Sequence, residues 1–244
     1  AKENVMNAFK AGFENVSIDL IFSLPGQTAD RWRSNLRQAT ELEPTHISCY
    51  SLIVEPNTPL FRMVESKQLA PLPVEEDAEL YELTMEYMTS EGYEQYEVSN
   101  FAQPGFRSRH NSNYWNHSNY LGFGPSAHSF WSTARLVENS RRWWNIANVV
   151  EYAHRLEHGQ LTVAGEEQLS VEQLMDEEIF LGLRSGGINV AGFRRRYERD
   201  FMEQHSSKVK ELLNGNLARF SGEHFRLTPK GYLLCDEICS SFLM

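Results

Sequence analysis

The chain has 244 residues, of which 41% are hydrophobic and 23% are charged, and its net charge at pH 7 is −10. That length suffices for one large or two modest domains with real cores. The acidic balance argues against non-specific binding to nucleic acid or anionic lipid, and no run of about 18 apolar residues occurs that could span a membrane. Because the cysteine count is odd and the N-terminal segment lacks the apolar core of a signal peptide, the sequence predicts a cytoplasmic protein.

The chain opens as an amphipathic helix followed by two strands with a helix between them. Residues 15–24 are rich in β-branched and apolar residues and end at Pro25, so they predict a strand followed by a turn. Residues 46–54 predict the second strand. A strand–helix–strand unit of this length usually places its strands in parallel, and the nearly continuous apolar run of the first strand indicates burial on both faces.

The helix between these strands has a start signal and an apolar face. Thr28 or Asp30 can cap its first turn. Trp32, Leu36 and Ala39 recur at helical spacing, so they are expected to point together into the core.

The segment from residue 92 to residue 129 is the most informative part of the chain. It follows a strongly amphipathic helix that starts at Val74, and it combines three His and two Arg with several Tyr and a Trp. Its apolar residues follow neither the period of a strand nor that of a helix. Flat rings, guanidinium groups and imidazoles suit a large planar ligand that carries carboxylates and a metal. The alternative is a Tyr-rich loop packed on a core, and a second polar and aromatic stretch follows at residues 141–144.

After residue 165 the sequence predicts a small, mostly helical domain. The predicted elements are three helices, a two-stranded ribbon and a last helix, at residues 171–183, 190–197 and 202–213, at 217–220 with 224–227, and after residue 231. This order resembles a winged helix. Residues 166–244 hold 13 acidic and 10 basic residues, whereas a DNA reader is basic on its binding face, so we interpret the region as a packing domain; the arginines at 194–196 leave DNA binding as the alternative. Two domains are predicted, 1–160 and 165–244.

The three cysteines do not form a metal-binding motif. Cys49 lies in the second predicted strand, and Cys235 and Cys239 lie four residues apart in a helix-like segment. Free cysteine behaves as a small hydrophobic residue, so we predict that Cys235 and Cys239 are buried core thiols rather than ligands.

Several segments together resemble one family, the radical S-adenosylmethionine proteins related to oxygen-independent coproporphyrinogen III oxidase. They are IDLIFSLPGQT at 18–28, HISCYSLIVEPNTPL at 46–60, YEVSNFAQPGFRSRHNSNYW at 96–115 with LGFGPSAHS at 121–129, and RLTPKGYLL at 226–234. Within the family, the His110-Asn111-x-x-Tyr114-Trp115 pattern is similar to that of the haem-chaperone branch, because the oxidases generally lack it.

The resemblance implies an α/β fold: the C-terminal part of a partial (β/α) radical SAM barrel, followed by a small, mostly helical, winged-helix-like domain. Family members bind a [4Fe–4S] cluster through CxxxCxxC, and this sequence has no such loop. The resemblance therefore implies S-adenosylmethionine and [4Fe–4S] for full-length relatives only. For this chain it implies haem, and we expect no radical chemistry from the chain alone.

Three residues match positions at which the family binds its nucleotide cofactor. Asp19 lies within an apolar strand, where an unpaired buried carboxylate would cost several kcal/mol. By resemblance it helps to bind S-adenosylmethionine, and a structural salt bridge is the alternative. Ile53 and His128 match positions that contact a nucleotide ligand in the oxidases.

The resemblance makes His110 the expected ligand of haem iron, since imidazole is the commonest protein ligand of that metal. Asn111 can fix the orientation of the imidazole ring, and Tyr114 and Trp115 offer faces to the macrocycle.

Arg107 and Arg109 can pair with the haem propionates, because guanidinium groups bind carboxylates in a fork geometry. His117 and His128 are second choices as iron ligands. The function implied is a chaperone that passes haem to acceptor proteins. The alternatives are an oxidase that decarboxylates coproporphyrinogen III in porphyrin biosynthesis, and an interaction module that docks a partner.

Overall fold

The computed structural model describes residues 1–133 and 136–243, which form two compact units. The first unit is Ala1–Ser108, and the second begins at Arg109. Within the described residues, no helix combines the length and the apolar character needed to cross a membrane.

The first unit is built on a four-stranded sheet. Its elements are α1 (Lys2–Lys10), β1 (Ser17–Phe22), α2 (Ala29–Thr40), β2 (His46–Ser51), α3 (Pro59–Glu65), α4 (Val74–Ser90), β3 (Glu94–Gln95) and β4 (Asn100–Ala102). The strands follow the order β1-β2-β4-β3. β1 and β2 run parallel, which confirms the predicted strand–helix–strand unit, and β4 runs antiparallel to β2.

Helix α2 forms as predicted and contributes the largest side chain of the core. Thr28 is its N-cap, and the hydroxyl accepts a hydrogen bond from a backbone N–H of the first turn. Trp32, Leu36 and Ala39 are all buried. The indole N–H of Trp32 donates to Oγ1 of Thr84 on α4 at 2.8 Å, so this buried polar pair is satisfied and ties the two helices together.

Strand β1 is exposed on one face, so the prediction that it is buried on both faces is wrong. Asp19 and Ile21 are exposed, whereas Phe22 is buried. Successive side chains of a strand point to opposite faces, and the face that carries Asp19 is open to solvent. Asp19 takes part in none of the ion pairs among the described residues. An apolar run therefore does not distinguish a doubly buried strand from a strand with one open face.

We expect Asp19→Asn to change the free energy of unfolding by less than about 0.5 kcal/mol, because an exposed, unpaired carboxylate contributes little to stability. Urea unfolding followed by circular dichroism measures the change. Asp77→Ala is the positive control, since it removes the Oδ1 that accepts the hydroxyl hydrogen bonds of Ser23 and Ser51. A loss of about 3–5 kcal/mol in Asp19→Asn, as for a broken buried ion pair, would contradict the exposed placement.

The second unit combines two three-stranded sheets with eight helices among its described residues. Its elements are α5 (Arg109–Trp115), β5 (His128–Thr133), β6 (Leu136–Asn145), α6 (Val149–Glu157), β7 (Val163–Gln168), α7 (Val171–Leu183), β8 (Ile188–Asn189), α8 (Val190–Tyr197), α9 (Phe201–Gln204), α10 (Ser206–Asn214), β9 (Ala218–Ser221), β10 (His224–Leu227), α11 (Pro229–Tyr232) and α12 (Cys235–Phe242). The sheets have the orders β5-β6-β7 and β8-β10-β9, and all their strands pair antiparallel.

The C-terminal elements agree closely with the sequence predictions. α7 and α8 have the predicted bounds, and β9 and β10 form the predicted ribbon, to which β8 adds a third strand. The helix predicted at 202–213 is divided into α9 and α10 at His205. Cys235 and Cys239 are buried in α12, which confirms the interpretation as core thiols, and Cys49 is buried in β2.

The sheet β5-β6-β7 is the main feature that the sequence did not predict. β7 pairs with β6, so residues 163–168 belong to the sheet of the second unit. The chain passes from the first compact unit to the second between Ser108 and Arg109. The domain boundary predicted from the sequence lies instead at residues 160–165. The domains 1–160 and 165–244 stay a prediction about how the family divides its chain.

Candidate functional site

The HNxxYW motif forms the short helix α5. His110 lies in its first turn and is exposed. Because residues four apart share a helix face, Tyr114 lies beside His110, with the two rings edge to face and their centroids 5.1 Å apart. Tyr114 also contacts Tyr120, at 4.6 Å between centroids. The motif thus presents one accessible imidazole at the edge of a small cluster of rings.

The other residues predicted to bind haem differ in their exposure to solvent and in whether they already have an ion-pair partner. Asn111 and Trp115 are half-buried in α5. In the first unit, a guanidinium nitrogen of Arg107 lies 3.0 Å from a carboxylate oxygen of Glu94, so that guanidinium already has a carboxylate partner. Arg109 is exposed at the start of α5 and joins none of the ion pairs in the described part of the chain.

The three residues predicted to bind the nucleotide cofactor are divided between the two units. Asp19 is on β1, and Ile53, which is 72% exposed, follows β2. Asp19 therefore lies in β1, and Ile53 lies just beyond the end of the neighbouring parallel strand β2. His128 opens β5 in the second unit, where its ring lies 5.9 Å from that of Trp144 between centroids.

The second unit contains a cavity of about 680 Å³, a volume typical of small-molecule sites. We call it the ring-lined cavity, because its walls include the rings of Tyr114, His117, Tyr120, Phe130, Trp144 and Phe180. Of the residues singled out for cofactor binding, Tyr114, His117 and His128 line this cavity. His110 is not among its lining residues.

An ion-pair network closes one side of the ring-lined cavity. Arg142 on β6 lies 3.0 Å from Glu167 on β7 and 2.5 Å from Glu177 on α7, measured between nitrogen and oxygen atoms. The second oxygen of Glu177 lies 2.9 Å from Nε2 of His117, whose ring stacks on Phe130 at 4.4 Å between centroids. The network therefore joins the segment after α5 to the sheet and to α7.

The network shifts the pKa values of its members in the directions expected for paired charges. Burial would raise the pKa of Glu177, but its pairing with His117 and Arg142 outweighs burial, and the pKa is lowered. Burial would lower the pKa of Arg142, but Glu177 and Glu167 outweigh it, and the pKa is raised. Both side chains are therefore held in their charged forms.

Only part of this network could be predicted from the sequence. Arg142 and Trp144 are two residues apart, so a strand places both on one face, and both line the ring-lined cavity. Reading residues 141–144 as a strand would have revealed that shared face. Glu177 falls within a correctly predicted helix, but no sequence pattern links it to His117, which is 60 positions away.

The cysteines do not fit an iron–sulfur cluster. Cys235 and Cys239 place their sulfur atoms 4.0 Å apart in the second unit, whereas Cys49 belongs to the first. Burial, and then the negative charge of Asp19, raise the pKa of Cys49, which disfavours the thiolate that a metal requires. No group of three or more His, Cys, Asp or Glu side chains suited to a metal ion occurs among residues 1–133 and 136–243.

Comparison with known proteins agrees with this fold. Residues 169–234 match the family model of the HemN C-terminal domain. Over its full length the chain is similar in fold to the coproporphyrinogen III oxidase HemN from Escherichia coli, a radical SAM enzyme, with a TM-score of 0.76 and 19% identity, and it covers 58% of that chain. The chain therefore has part of the fold of a radical SAM enzyme.

Curated proteins of higher sequence identity point to one branch of this class. The chain is 36% identical to the "Heme chaperone HemW" of Bacillus subtilis over 237 residues, which is 97% of this chain and 61% of that protein. It is 34% identical to the HemW of Lactococcus lactis, covering 99% of this chain and 62% of that protein, and 32% identical to the HemW of Mycobacterium tuberculosis. The chain is thus related to the HemW branch of HemN-like proteins along nearly its whole length, and it spans about 60% of the length of these relatives.

Proposed function

We propose that this chain is the haem-binding portion of a haem chaperone of the HemW type, which passes haem to acceptor proteins in the cytoplasm. The proposal is carried by the placement of His110, an exposed imidazole that lies edge to face with Tyr114 on α5. The names of the curated relatives support the same function.

The residues of α5 fit haem as a ligand. The imidazole of His110 is a suitable ligand for haem iron, and the adjacent ring of Tyr114 offers an apolar surface to the macrocycle. Arg109 is the better candidate for a propionate, because Arg107 is already paired with Glu94. Asn111 and Trp115 complete the proposed site as the residue that orients the imidazole and as a second ring.

The alternative function is the oxidase. Its substrate carries four carboxylates and no iron, so its site needs several Arg or Lys side chains rather than an accessible imidazole. We propose that Asp19, Ile53 and His128 contribute to S-adenosylmethionine binding in proteins that carry the complete barrel.

Titration of the purified chain with haemin, followed in the Soret region, tests the proposal. We expect saturable binding of one haem per chain, because α5 offers one accessible imidazole beside a ring. In parallel, the chain is incubated with coproporphyrinogen III, S-adenosylmethionine and a reductant, and we expect no vinyl products above a control without protein. The absence of saturable haem binding would contradict the chaperone proposal, and vinyl products would favour the oxidase.

A further inference from the structure

Aromatic rings form much of the wall of the ring-lined cavity. Tyr114 and Tyr120 lie 4.6 Å apart between centroids, and His117 stacks on Phe130 at 4.4 Å with an interplanar angle of 13°. Trp144 adds an indole to the wall. The face of an aromatic ring is negative, and it attracts a cation that lies within about 6 Å of the ring centre.

The ionisable side chains give the same cavity a negative charge. Glu167, Asp176 and Glu177 contribute three carboxylates to the lining, against the single guanidinium of Arg142. That guanidinium is already bound by Glu167 and Glu177, so it is not free to receive an anionic ligand. The balance of charge therefore favours a cationic ligand over a ligand that carries carboxylates.

Asp176 is the carboxylate that stays available in the ring-lined cavity. It joins none of the ion pairs found among residues 1–133 and 136–243. Burial raises its pKa, which His205 opposes and Glu172 reinforces. A carboxylate outside any ion pair is stabilised when a cation comes to lie beside it.

We infer that the ring-lined cavity binds an organic cation, a quaternary ammonium or protonated amine attached to an apolar body. The rings of Tyr114, Tyr120 and Trp144 surround the apolar body and the charge, and Asp176 supplies the counter-ion. The cavity volume of about 680 Å³ is sufficient for a small molecule of this kind. His110 does not line the cavity, although Tyr114 is shared with the proposed haem site, and the negative charge of the cavity disfavours the propionates of haem.

Three compounds that share a phenyl ring and carry a positive, no or a negative charge test the inference: benzyltrimethylammonium, benzyl alcohol and benzoate. Each is titrated into the intact chain, and binding is followed by ligand-observed NMR. We expect benzyltrimethylammonium to bind about tenfold more tightly than benzyl alcohol, and benzoate to show no saturable binding. Equal or tighter binding of benzoate, or no saturable binding of the cation, would overturn the inference.

The Asp176→Asn variant tests whether Asp176 is the counter-ion of the bound cation, because it removes the negative charge and leaves the size of the side chain almost unchanged. We expect the affinity for benzyltrimethylammonium to fall about fivefold or more, because the counter-charge is lost, while the affinity for benzyl alcohol stays the same. Glu211→Gln, at an exposed position of α10 outside the cavity, is the matched control and is expected to leave both affinities unchanged. An Asp176→Asn variant with the cation affinity of the wild type would overturn the assignment.

Discussion

Replacement of Glu177 by alanine is expected to lower the free energy of unfolding by about 2–3 kcal/mol. Glu177 binds Arg142 through one oxygen and lies 2.9 Å from Nε2 of His117 through the other, so its removal leaves two polar groups without this partner. The side chains of Glu177 and Arg142 are each 27% exposed, and the cost is therefore below that of a fully buried pair. Chemical unfolding monitored by circular dichroism measures the change.

Two further variants make the Glu177→Ala result specific to the network. Glu167→Ala removes the other partner of Arg142, but its side chain is 41% exposed, so we expect a loss of at most about 1 kcal/mol. Glu166→Ala, at an exposed position on the same strand, is expected to change stability by less than about 0.5 kcal/mol. An effect of Glu177→Ala no larger than that of Glu166→Ala would contradict the proposed role of the network.

The contribution of Glu177 also has a defined dependence on pH. Its pKa in the folded chain is lowered from the ordinary value of 4.5. Its stabilising contribution is therefore fully present above that ordinary value and is lost as the pH falls through the lower pKa of the folded state. The difference in stability between the wild type and Glu177→Ala is expected to narrow at acid pH below about 4.5.

Replacement of Trp32 by alanine is expected to lower the free energy of unfolding by about 3–5 kcal/mol, the usual cost of removing a large buried aromatic side chain. Trp32 is fully buried, and its ring lies 5.4 Å from that of Phe22 between centroids. The substitution leaves a cavity between α2 and α4 and removes the hydrogen bond to Thr84. Urea unfolding of the variant measures the loss.

Trp131→Ala is the matched control for Trp32, because it removes the same side chain from a position that is 43% exposed. We expect a much smaller loss of stability there. Thr84→Val tests the polar part of the Trp32 contribution, since it leaves the buried indole N–H without its acceptor and is expected to cost about 1–3 kcal/mol. Equal losses for Trp32→Ala and Trp131→Ala would show that the core of the first unit is placed wrongly.

The fold was predictable where local pattern and packing agree. Trp32, Leu36 and Ala39 recur at helical spacing, and all three are buried. The bounds of α7 and α8 could be predicted for the same reason, since each has an apolar face and a capping residue, Ser170 and Asn189 respectively. β5, β6 and β7 were missed because strands of polar and aromatic residues lack a clear apolar alternation, and their stability depends on partners distant in sequence.

The candidate site was predictable only in part, for a related reason. The motif identified His110 and Tyr114, and the structure places their rings in contact on one helix face. The ring-lined cavity depends instead on residues that converge from distant segments, such as Arg142 on β6 and Glu177 on α7. No single stretch of sequence carries that pattern, so the cavity became apparent only in three dimensions.

The most direct test of the account is a haemin titration of the wild type and of His110→Ala and His154→Ala variants. His154 is an exposed imidazole on α6 and serves as the matched control. His205 is unsuitable for this purpose, because its ring packs against Phe201 and Phe242 and its loss would disturb the core. We predict that His110→Ala weakens haem binding at least about tenfold and alters the Soret band, because the axial imidazole is lost, whereas His154→Ala matches the wild type. A His110→Ala variant with the affinity and spectrum of the wild type would contradict the central claim.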